Sequence, residues 1–524
     1  MIGEGSQLAN DFWILLAMVI YFAAMLSIGF IYSKRSNSSS KEYFAGGRGV
    51  GPWLTALSAE ASDMSGWLLM GLPGVAYWCG LADAFWTAAG LAVGTYINWL
   101  VVSKRLRRYS IAANNAITLP EFFSNRFHEK KKVIMGISAA FILVFFTVYA
   151  ASCLVTCGKL FSTLFGAPYI TMMLVGAAFV LIYTLLGGFL AESASDFMQA
   201  IVMVVVLVAV LTLGVANAGG LGAVFENVKD FPGFLEFFGI ADPVTEGGVQ
   251  LAVNGVPSFG ARQDYGALNV ASMLAWGLGY FGMPQVLLRF MAIRREDELK
   301  RARRVAMVWV VISLAAAIMI GIVGRALFPT ALTTASEAEN VFIYLSRSLL
   351  PAALAGLAMA GILAATISSS DSYLLIAASA FAKNAYQGIF KKNATDKEVM
   401  TLSRIMLPVI TAIAIVIALD ENSVIFTIVS FAWAGFGATF GPLVLFSLFW
   451  KRMTRAGAIA GMLSGGGMVF IWKLVIKPLG GIFGIYELLP AFIVSGIFII
   501  VVSLLTNAPS KEIQDEFERV KKGA

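Results

Sequence analysis

Charged residues are scarce in this sequence. Lysine, arginine, aspartate and glutamate make up 13% of its 524 residues, whereas a soluble domain carries about 25%. Hydrophobic residues reach 59% and the mean hydropathy is +0.80, which excludes a water-soluble globular fold. Apolar runs of about 20 residues recur along the chain, and each is long enough to cross a bilayer as a helix. The composition therefore predicts an all-α, multi-pass protein of the cell membrane.

Histidine and cysteine are also rare. The single histidine, His128, lies in a basic loop, which argues against a histidine-based metal site or a Ser-His-Asp triad. Cys79, Cys153 and Cys157 fall inside apolar segments, so no disulfide framework is indicated. The net charge of +7 does not indicate a nucleic-acid partner, because the basic residues gather in short loops between apolar runs. The sequence offers no histidine, cysteine or metal-ligand cluster on which a membrane enzyme could rely. We therefore expect that the protein is not an enzyme.

The apolar runs divide the single domain, residues 1–524, into about thirteen predicted membrane helices. Strongly basic loops, such as residues 104–108 and 294–304, fall on one side under this count. Because such loops mark the cytoplasmic side, the N-terminus is expected outside and the C-terminus in the cytoplasm. Arg289 is assigned to the basic exit of the seventh span. The acidic segment 217–263 is expected to be an external loop, because it is too short to bury a core of its own.

The second predicted span carries polar residues where a membrane helix needs hydrocarbon. Two carboxylates, Glu60 and Asp63, lie among serines in residues 58–67. A charge at mid-membrane costs roughly 2.5 kcal/mol or more, which is tolerable if these groups line a wet cavity or bind a cation. Gly66 and Pro73 follow closely, so the helix is expected to unwind and expose backbone groups to an ion or a substrate. The alternative is a buried polar cluster that only ties helices together.

The seventh predicted span is interrupted in the same way, by three glycines and Pro284. It lies five spans after the second, and five is odd, so the two broken helices cross the membrane in opposite directions. This pattern is typical of transporters built from inverted repeats, and it predicts halves at residues 50–217 and 264–450. The alternative is a chance spacing of glycines, which are common in membrane helices.

Other polar side chains also lie within predicted spans. Residues 366–372 of the ninth span contain five hydroxyls, of which Ser368 and Ser372 share a helix face, and Asp371 needs a partner or a proton. Serines in membrane helices also bond to their own backbone, and that alternative stays open. Asp196, at the start of the sixth span, is either a second cation or proton site or a helix N-cap.

Aromatic side chains near both breaks suit a pocket for a small, partly apolar solute. They are Trp67, Tyr149, Trp276 and Tyr280, with Pro284 nearby. Alternating-access carriers place the substrate and the ion between their repeats, near the membrane midplane, and these groups are expected to converge there. For each aromatic residue alone, packing within the bundle is the alternative.

Four segments carry a resemblance to a known family: ALSAEASDMSGWLLMGLPG (56–74), GGFL (187–190), WGLGYFG (276–282) and FAWAGFGA (431–438). At these positions the sequence resembles the sodium/solute symporter family over nearly its whole length, and within it the bacterial proline carriers. The resemblance implies the five-helix inverted-repeat fold, also called the APC/LeuT-like fold, with thirteen spans. It also implies sodium-coupled uptake of L-proline through the lipid bilayer, with Na+ as the coupling ion and no obligate protein partner.

The resemblance further implies roles for individual residues. It implies a sodium site made by the backbone of Ala61, Met64 and Ala365 and the side chains of Ser368 and Ser369, with Asp63 important for sodium binding. It implies a substrate pocket made by Ser65, Gly66, Trp67, Tyr149, Trp276, Tyr280 and Pro284.

The sequence departs from the family pattern at several of these positions. Ser369 stands where threonine is usual, and it keeps the hydroxyl that sodium needs. Glu60 stands where a small residue is usual, Asp371 adds a carboxylate, and residues 194–196 differ from the usual aromatic-Thr-Asp. Glu60, Asp371 and Asp196 are therefore candidates for a second cation or proton site. Two alternatives stay open within the transporter class: another small solute, or proton coupling through Asp63, Asp196 or Asp371. Outside this class, a membrane sensor or an ion channel stays open.

Overall fold

The computed structural model describes residues 4–36, 44, 46–186 and 188–523. Gly187, which begins one of the four family-like segments, lies outside the described residues. The described part is a bundle of helices with a few short strands. In chain order the helices are α1 (Glu4–Ser36), α2 (Pro52–Asp63), α3 (Leu72–Cys79), α4 (Leu81–Ile97), α5 (Ser103–Ala112), α6 (Leu119–Arg126), α7 (Val133–Phe165), α8 (Tyr169–Leu186), α9 (Phe189–Asn217), α10 (Leu221–Val228), α11 (Ala267–Leu274), α12 (Trp276–Gly279), α13 (Pro284–Ala292), α14 (Leu299–Leu327), α15 (Ala335–Ala338), α16 (Val341–Leu349), α17 (Ala352–Ser379), α18 (Asp396–Ile417), α19 (Ile425–Phe449), α20 (Arg455–Ile471), α21 (Leu488–Leu505) and α22 (Lys511–Lys522).

Within the described residues, ten helices are long and apolar enough to cross a membrane. The shorter apolar helices Trp67–Cys79, Tyr169–Leu185 and Ala267–Gly279 bring the apolar segments to the thirteen that the sequence predicts. Two of the three shorter helices belong to the second and seventh spans, because a break divides each of these spans. The multi-pass helical prediction is confirmed, while the number of true spans and the side of each terminus stay predictions.

Both predicted helix breaks are present. Helix α2 ends at Asp63, and the backbone of Met64 leaves helical geometry with φ −84° and ψ 73°. A π-helical turn then begins at Trp67 and leads into α3. In the seventh span, α12 ends, Met283 is extended, and α13 begins at Pro284. Proline lacks a backbone N–H and its fixed φ suits the first position of a helix, so Pro284 favours a new start here.

The acidic segment after α9 is more structured than the expected loop. It contains α10 and, with the residues that follow, six two-residue strands that pair as three antiparallel ribbons. The strands are β1 (Gly239–Ile240), β2 (Thr245–Glu246), β3 (Val249–Gln250), β4 (Ala252–Val253), β5 (Val256–Pro257) and β6 (Gln263–Asp264). Two residues with positive φ, Asn254 and Gly255, turn β4 into β5, as tight hairpins require. The sequence does not predict these strands, because two residues are too few to show an alternation of apolar and polar side chains.

A close crossing fixes α12 against α4. A Cβ added at Gly277 would lie 2.2 Å from the carbonyl oxygen of Gly90. One added at Gly94 would lie 2.3 Å from the carbonyl oxygen of Gly277. Small residues let membrane helices approach backbone to backbone, and any larger side chain here would push the two helices apart. The crossing therefore sets the position of the break that follows α12.

We expect Gly277→Ala to lower the thermal stability of the protein, because its methyl group would overlap the Gly90 carbonyl and overpacking costs about 1–3 kcal/mol. Gly467→Ala is the matched control, since a Cβ at Gly467 in α20 meets nothing within 4 Å and alanine is the better helix former by about 1 kcal/mol. Thermal unfolding of the purified variants in detergent measures the difference. Equal melting temperatures for the two variants would contradict the close crossing.

Candidate functional site

The broken end of α2 leaves a backbone carbonyl without its helical donor. The amide of Ser65 bonds to the carbonyl of Asp63 at 3.1 Å, and so the carbonyl oxygen of Ala61 lies free of the usual i+4 bond. Two hydroxyls from α17 take that place: Ser368 donates to it at 2.8 Å and Ser369 at 3.3 Å. All of these groups are buried. The end of α2 is thus joined to α17 by serine hydroxyls.

The same place gathers most of the predicted sodium ligands. The hydroxyl of Ser368 also lies 3.2 Å from the carbonyl oxygen of Ala365, one turn earlier on α17. Met64 lies at the non-helical end of α2, where its amide bonds to the carbonyl of Glu60. A hydroxyl can rotate so that its lone pairs, rather than its proton, face a ligand. The two hydroxyls and the carbonyls therefore have the chemistry that a small hard cation needs.

Asp63 does not face the serine pair with its carboxylate. One of its oxygens accepts from the Tyr280 hydroxyl at 2.7 Å, and the other accepts from the Gln285 amide at 3.4 Å. Its backbone carbonyl accepts from the Trp67 indole at 3.3 Å and lies 3.5 Å from the Tyr149 hydroxyl. Asp63 therefore links the break of the second span to the break of the seventh, and it contacts three of the predicted pocket residues, Trp67, Tyr149 and Tyr280.

Three of the four predicted aromatic residues, Trp67, Trp276 and Tyr280, form part of a larger ring cluster. The ring centroids of Trp67 and Trp276 lie 6.3 Å apart. Trp276 also packs against three aromatic residues that the sequence analysis did not single out: its centroid lies 6.1 Å from Trp433, 5.1 Å from Phe426 and 5.0 Å from Tyr486. Trp433 falls inside the family-like segment 431–438, which is the one signal that could have found it. The cluster covers one side of the meeting point of the two breaks.

The remaining predicted pocket residues have different surroundings. Ser65 is buried at the end of α2, and Gly66 lies so close to α7 that an added Cβ would meet the Thr156 side chain at 2.5 Å. The Tyr149 ring packs on Tyr373 of α17 with centroids 4.2 Å apart. Tyr149 is thus held between α7 and α17, and the backbone of Gly66 is held against α7.

Pro284 faces another space. It lines a small cavity of about 20 Å³ together with Ile142, Leu288 and Leu375. None of the four predicted aromatic residues lines this cavity. Pro284 belongs to the seventh-span break through its backbone, at the first position of α13, and its ring is directed to this separate space.

A buried ion cluster lies beside the α2 break, and Arg289 is its centre. Arg289 is 1% exposed within α13, so its assignment to the basic exit loop is wrong. Its guanidinium donates to Glu192 at 2.6 Å, to Asp196 at 3.0 Å and to Ser58 at 2.8 Å. The Ser58 hydroxyl in turn donates to Asp196 at 2.7 Å. A buried charge has to be paired to be tolerated, and here one arginine pairs two carboxylates from α9.

The three candidates for a second cation or proton site are placed differently. Asp196 lies inside α9, whose N-cap is Gly188, so the N-cap alternative is wrong, and Arg289 supplies its positive partner. Asp371 lies next to this ion cluster, and one of its oxygens accepts from the amide of Ser372 at 2.8 Å. Glu60 lies on α2, and one of its oxygens accepts from the indole N–H of Trp99 at 3.2 Å.

The ion cluster contains two residues that the sequence analysis missed. Ser372 donates to Glu192 and accepts from Arg289 at 3.0 Å, so it serves the ion cluster, whereas Ser368, one turn earlier on the same face of α17, serves the α2 end. Arg289 lies four residues after Gln285 within an apolar run, and an arginine that precedes further apolar residues is a signal of a buried position. Glu192 carries a similar signal, since it lies in the first turn of the apolar helix α9.

Comparison with known proteins identifies the family of this chain. The model of the sodium:solute symporter family matches residues 43–465. A Haemophilus influenzae protein named sodium/proline symporter is 43% identical over 515 residues, which cover 97% of this chain and 97% of that protein. A Bacillus subtilis protein named osmoregulated proline transporter OpuE is 40% identical and covers 95% of this chain and 96% of its own length.

A solved structure has a similar fold. It is the substrate-bound, outward-open state of a Na+-coupled sialic acid symporter, with a TM-score of 0.76 at 17% sequence identity, and the match covers 95% of this chain and 99% of that one. At this identity the likeness describes the fold alone. The family model covers most of the chain, and relatives of 40% identity or more span nearly all of it. This chain therefore belongs to the sodium:solute symporter family.

Proposed function

We propose that this protein is a symporter that couples the inward movement of Na+ to the uptake of L-proline across the cell membrane. The choice of L-proline follows from the names of relatives that are 40–43% identical over nearly the whole chain. The structural observation that supports sodium coupling is the pair of serine hydroxyls on the free carbonyl of Ala61. Like other members of its family, the protein is a transporter and not an enzyme.

Sodium is proposed to bind where α2 meets α17. It would replace the hydrogen bonds that the Ser368 and Ser369 hydroxyls make to the Ala61 carbonyl. Its ligands would be these two hydroxyl oxygens and the carbonyl oxygens of Ala61, Met64 and Ala365. Each of these oxygens comes from one of two helices, so the ion would fix the broken end of α2 against α17. Asp63 would act from the neighbouring turn, through the negative charge that it brings to the same helix end.

The substrate is proposed to lie beside this ion. The helix that starts after the break leaves its first amides, at Gly66 and Trp67, without helical partners, and a helix N-terminus attracts a carboxylate. The proline ring would pack on the faces of Trp67, Trp276 and Tyr280, with Tyr149 near the carboxylate end. Each of these aromatic side chains is at most 1% exposed, so the substrate reaches the pocket only when helices around it move. Buried sites that open in turn to each side are the basis of alternating access.

The two breaks suit a pair of inverted repeats, at residues 50–217 and 264–450. One break lies near the start of each segment, and the contacts between Asp63 and Tyr280 join them. In this arrangement the ion cluster of Arg289 would hold α2, α9, α13 and α17 together as one body. Asp196 would then be a permanent partner of Arg289, and Asp371 the less strongly paired carboxylate.

The driving force comes from sodium itself. One sodium ion carries one charge inward, which is worth about 2.3 kcal/mol per 100 mV of membrane potential. Each tenfold sodium gradient adds about 1.4 kcal/mol. These two terms are sufficient to accumulate proline well above its external concentration.

Proteoliposomes with an imposed inward sodium gradient test the proposal. We expect labelled L-proline to accumulate above its external concentration with sodium outside, and to fall to simple equilibration when choline replaces sodium. A pH gradient of the same size should not replace the sodium gradient. Uptake that follows pH and ignores sodium would contradict sodium coupling, and sodium-driven uptake of another solute that unlabelled proline does not compete with would contradict the substrate.

Ser368→Ala tests the sodium site. It removes one proposed ligand oxygen, and we expect the sodium concentration for half-maximal proline uptake to rise at least tenfold, about 1.4 kcal/mol. Ser464→Ala is the matched control, because Ser464 also lies in an apolar helix but bonds only to its own backbone, at the carbonyl of Gly461. The measurement is the sodium concentration for half-maximal proline uptake by each variant, and we expect it to stay unchanged in Ser464→Ala. An unchanged sodium requirement in Ser368→Ala would remove this serine from the site.

Arg289→Leu tests the ion cluster. It leaves Glu192 and Asp196 buried without their cation, and breaking such a pair costs about 3–5 kcal/mol. We expect a large loss of thermal stability. Arg295→Leu is the control, since the Arg295 side chain is 66% exposed and pairs with Asp297 at the surface, where an ion pair is worth about 1 kcal/mol or less. Similar thermal unfolding of the two variants would contradict the role given to Arg289.

A further inference from the structure

Two buried carboxylates on α2 lie outside the ion pairs that Arg289 forms with Glu192 and Asp196. Glu60 is 2% exposed and Asp63 is 0% exposed, and they lie three positions apart, which puts them on one side of the helix. No salt bridge joins either of them to a basic side chain within the described residues. Charges buried in a bundle at membrane depth need compensation, because an unpaired buried charge is expensive. This pair is therefore incomplete as the protein side chains stand.

Arg289, the basic residue of the neighbouring ion cluster, is occupied elsewhere. Its Nε donates to Ser58 and one terminal nitrogen to the carbonyl of Gln285. The other terminal nitrogen faces Glu192, Asp196 and Ser372. All three nitrogens are thus engaged, and Glu60 is not among their partners.

Three buried carboxylate or amide oxygens around this pair lack any hydrogen-bond partner in the described part of the chain: Oε2 of Glu60, Oδ1 of Asn98 and Oε1 of Gln285. The hydroxyls of Ser65 and Thr95 in the same region also lack one. Each belongs to a side chain that is at most 2% exposed. Nearly all buried polar atoms in folded proteins have a partner, so three acceptors without one in the same region indicate a missing ligand. All three are acceptors, which indicates that the missing group is a cation or a donor.

The other polar atoms of the same side chains are held by hydrogen bonds with neighbouring groups. The indole of Trp99 donates to Oε1 of Glu60 at 3.2 Å. The amide nitrogen of Asn98 donates to the carbonyl of Tyr280 at 3.0 Å. The amide nitrogen of Gln285 lies 3.4 Å from Oδ1 of Asp63, and the Tyr280 hydroxyl donates to the other oxygen. With the nitrogens of both amides used in this way, their carbonyl oxygens are the ends left for a ligand.

We propose that Glu60, Asp63, Asn98 and Gln285 form a second sodium site, separate from the site at Ala61 and the two serines. This inference rests on the proposed sodium-coupled transport. Sodium is a hard cation and takes carboxylate and amide oxygens, and one ion offers a partner to all three free oxygens at once. A proton on Glu60 would supply a single donor and would leave two of the acceptors unsatisfied. The ion neutralises Glu60, while Asp63 keeps the hydrogen bonds of Tyr280 and Gln285.

The second ion changes the coupling of transport. Its ligands come from α2, from the π-helical turn after α4 (Asn98–Val102) and from α13, so it binds across the two breaks that line the substrate pocket. With two sodium ions per proline, a tenfold sodium gradient supports a hundredfold proline gradient at zero potential, whereas one ion supports a tenfold gradient. This difference can be measured directly.

The experiment determines the sodium:proline ratio in proteoliposomes held at zero potential, from the proline gradient that just balances a set sodium gradient. We expect a ratio of two for the unmodified protein and of one for Glu60→Gln, which keeps the shape of the side chain. Glu487→Gln is the matched control, because Glu487 is equally buried but lies at the start of α21 near Lys473 and Lys477; its ratio should stay at two. A ratio of one in the unmodified protein, or of two in Glu60→Gln, overturns the second site.

Binding of 22Na+ to the purified protein provides a count that does not depend on transport by a variant. We expect two ions per unmodified protein, and one ion in either Glu60→Gln or Ser368→Ala. A single ion in the unmodified protein, accompanied by proton uptake during proline transport, would assign Glu60 to a proton instead. Sodium-driven uptake with a ratio of one overturns only this inference, whereas uptake without any sodium dependence overturns the proposed function itself.

Discussion

The structure depends on one backbone carbonyl in the interior of the helix bundle that has lost its helical hydrogen-bond donor. Where α2 stops, the oxygen of Ala61 loses its helical donor, and a free backbone carbonyl at membrane depth costs several kcal/mol. The hydroxyls of Ser368 and Ser369 satisfy it, and both can be turned to face an ion instead. The contact between α2 and α17 is therefore stable without a cation and can also be taken over by one, which is the property that a coupling site needs.

The buried charges divide into two kinds. Around Arg289, the protein provides its own cation, and four helices meet in a cluster of fixed ion pairs. Around Glu60 and Asp63, the carboxylates lie among neutral donors, and no lysine or arginine of the described residues forms a salt bridge with either. The first kind is suited to holding helices together. The second kind leaves negative charge beside the two helix breaks, which is where the proposed second sodium ion would bind.

Much of the fold could be predicted because membrane helices leave strong signals. Apolar runs gave thirteen segments, and glycine and proline marked both helix breaks, since these residues disturb a helix wherever they stand. The roles of Ser368 and Ser369 came from a family resemblance rather than from spacing, which only placed them near one face. The structure brings both of them to the predicted carbonyl of Ala61.

The remaining features of the site depend on how individual side chains are oriented in the fold, which the sequence alone does not show. Which way the Asp63 carboxylate points is decided by Tyr280, which lies more than two hundred positions away. Arg289 was assigned to a loop because an arginine near the end of an apolar run usually anchors that run at the membrane surface. Only its ion pairs with Glu192 and Asp196 of α9 show that it is buried. The ribbons β1–β6 were missed because their strands are shorter than any periodic pattern.

A high-resolution structure determined twice, once in sodium and once in choline, tests the central account most directly. In sodium, we expect an ion between the Ala61 carbonyl and the hydroxyls of Ser368 and Ser369, with the residues around Met64 still non-helical. In choline, the two hydroxyls should return to the carbonyl. An unbroken α2 helix in both conditions, or serines that stay bonded to Ala61 with sodium bound elsewhere, would contradict it.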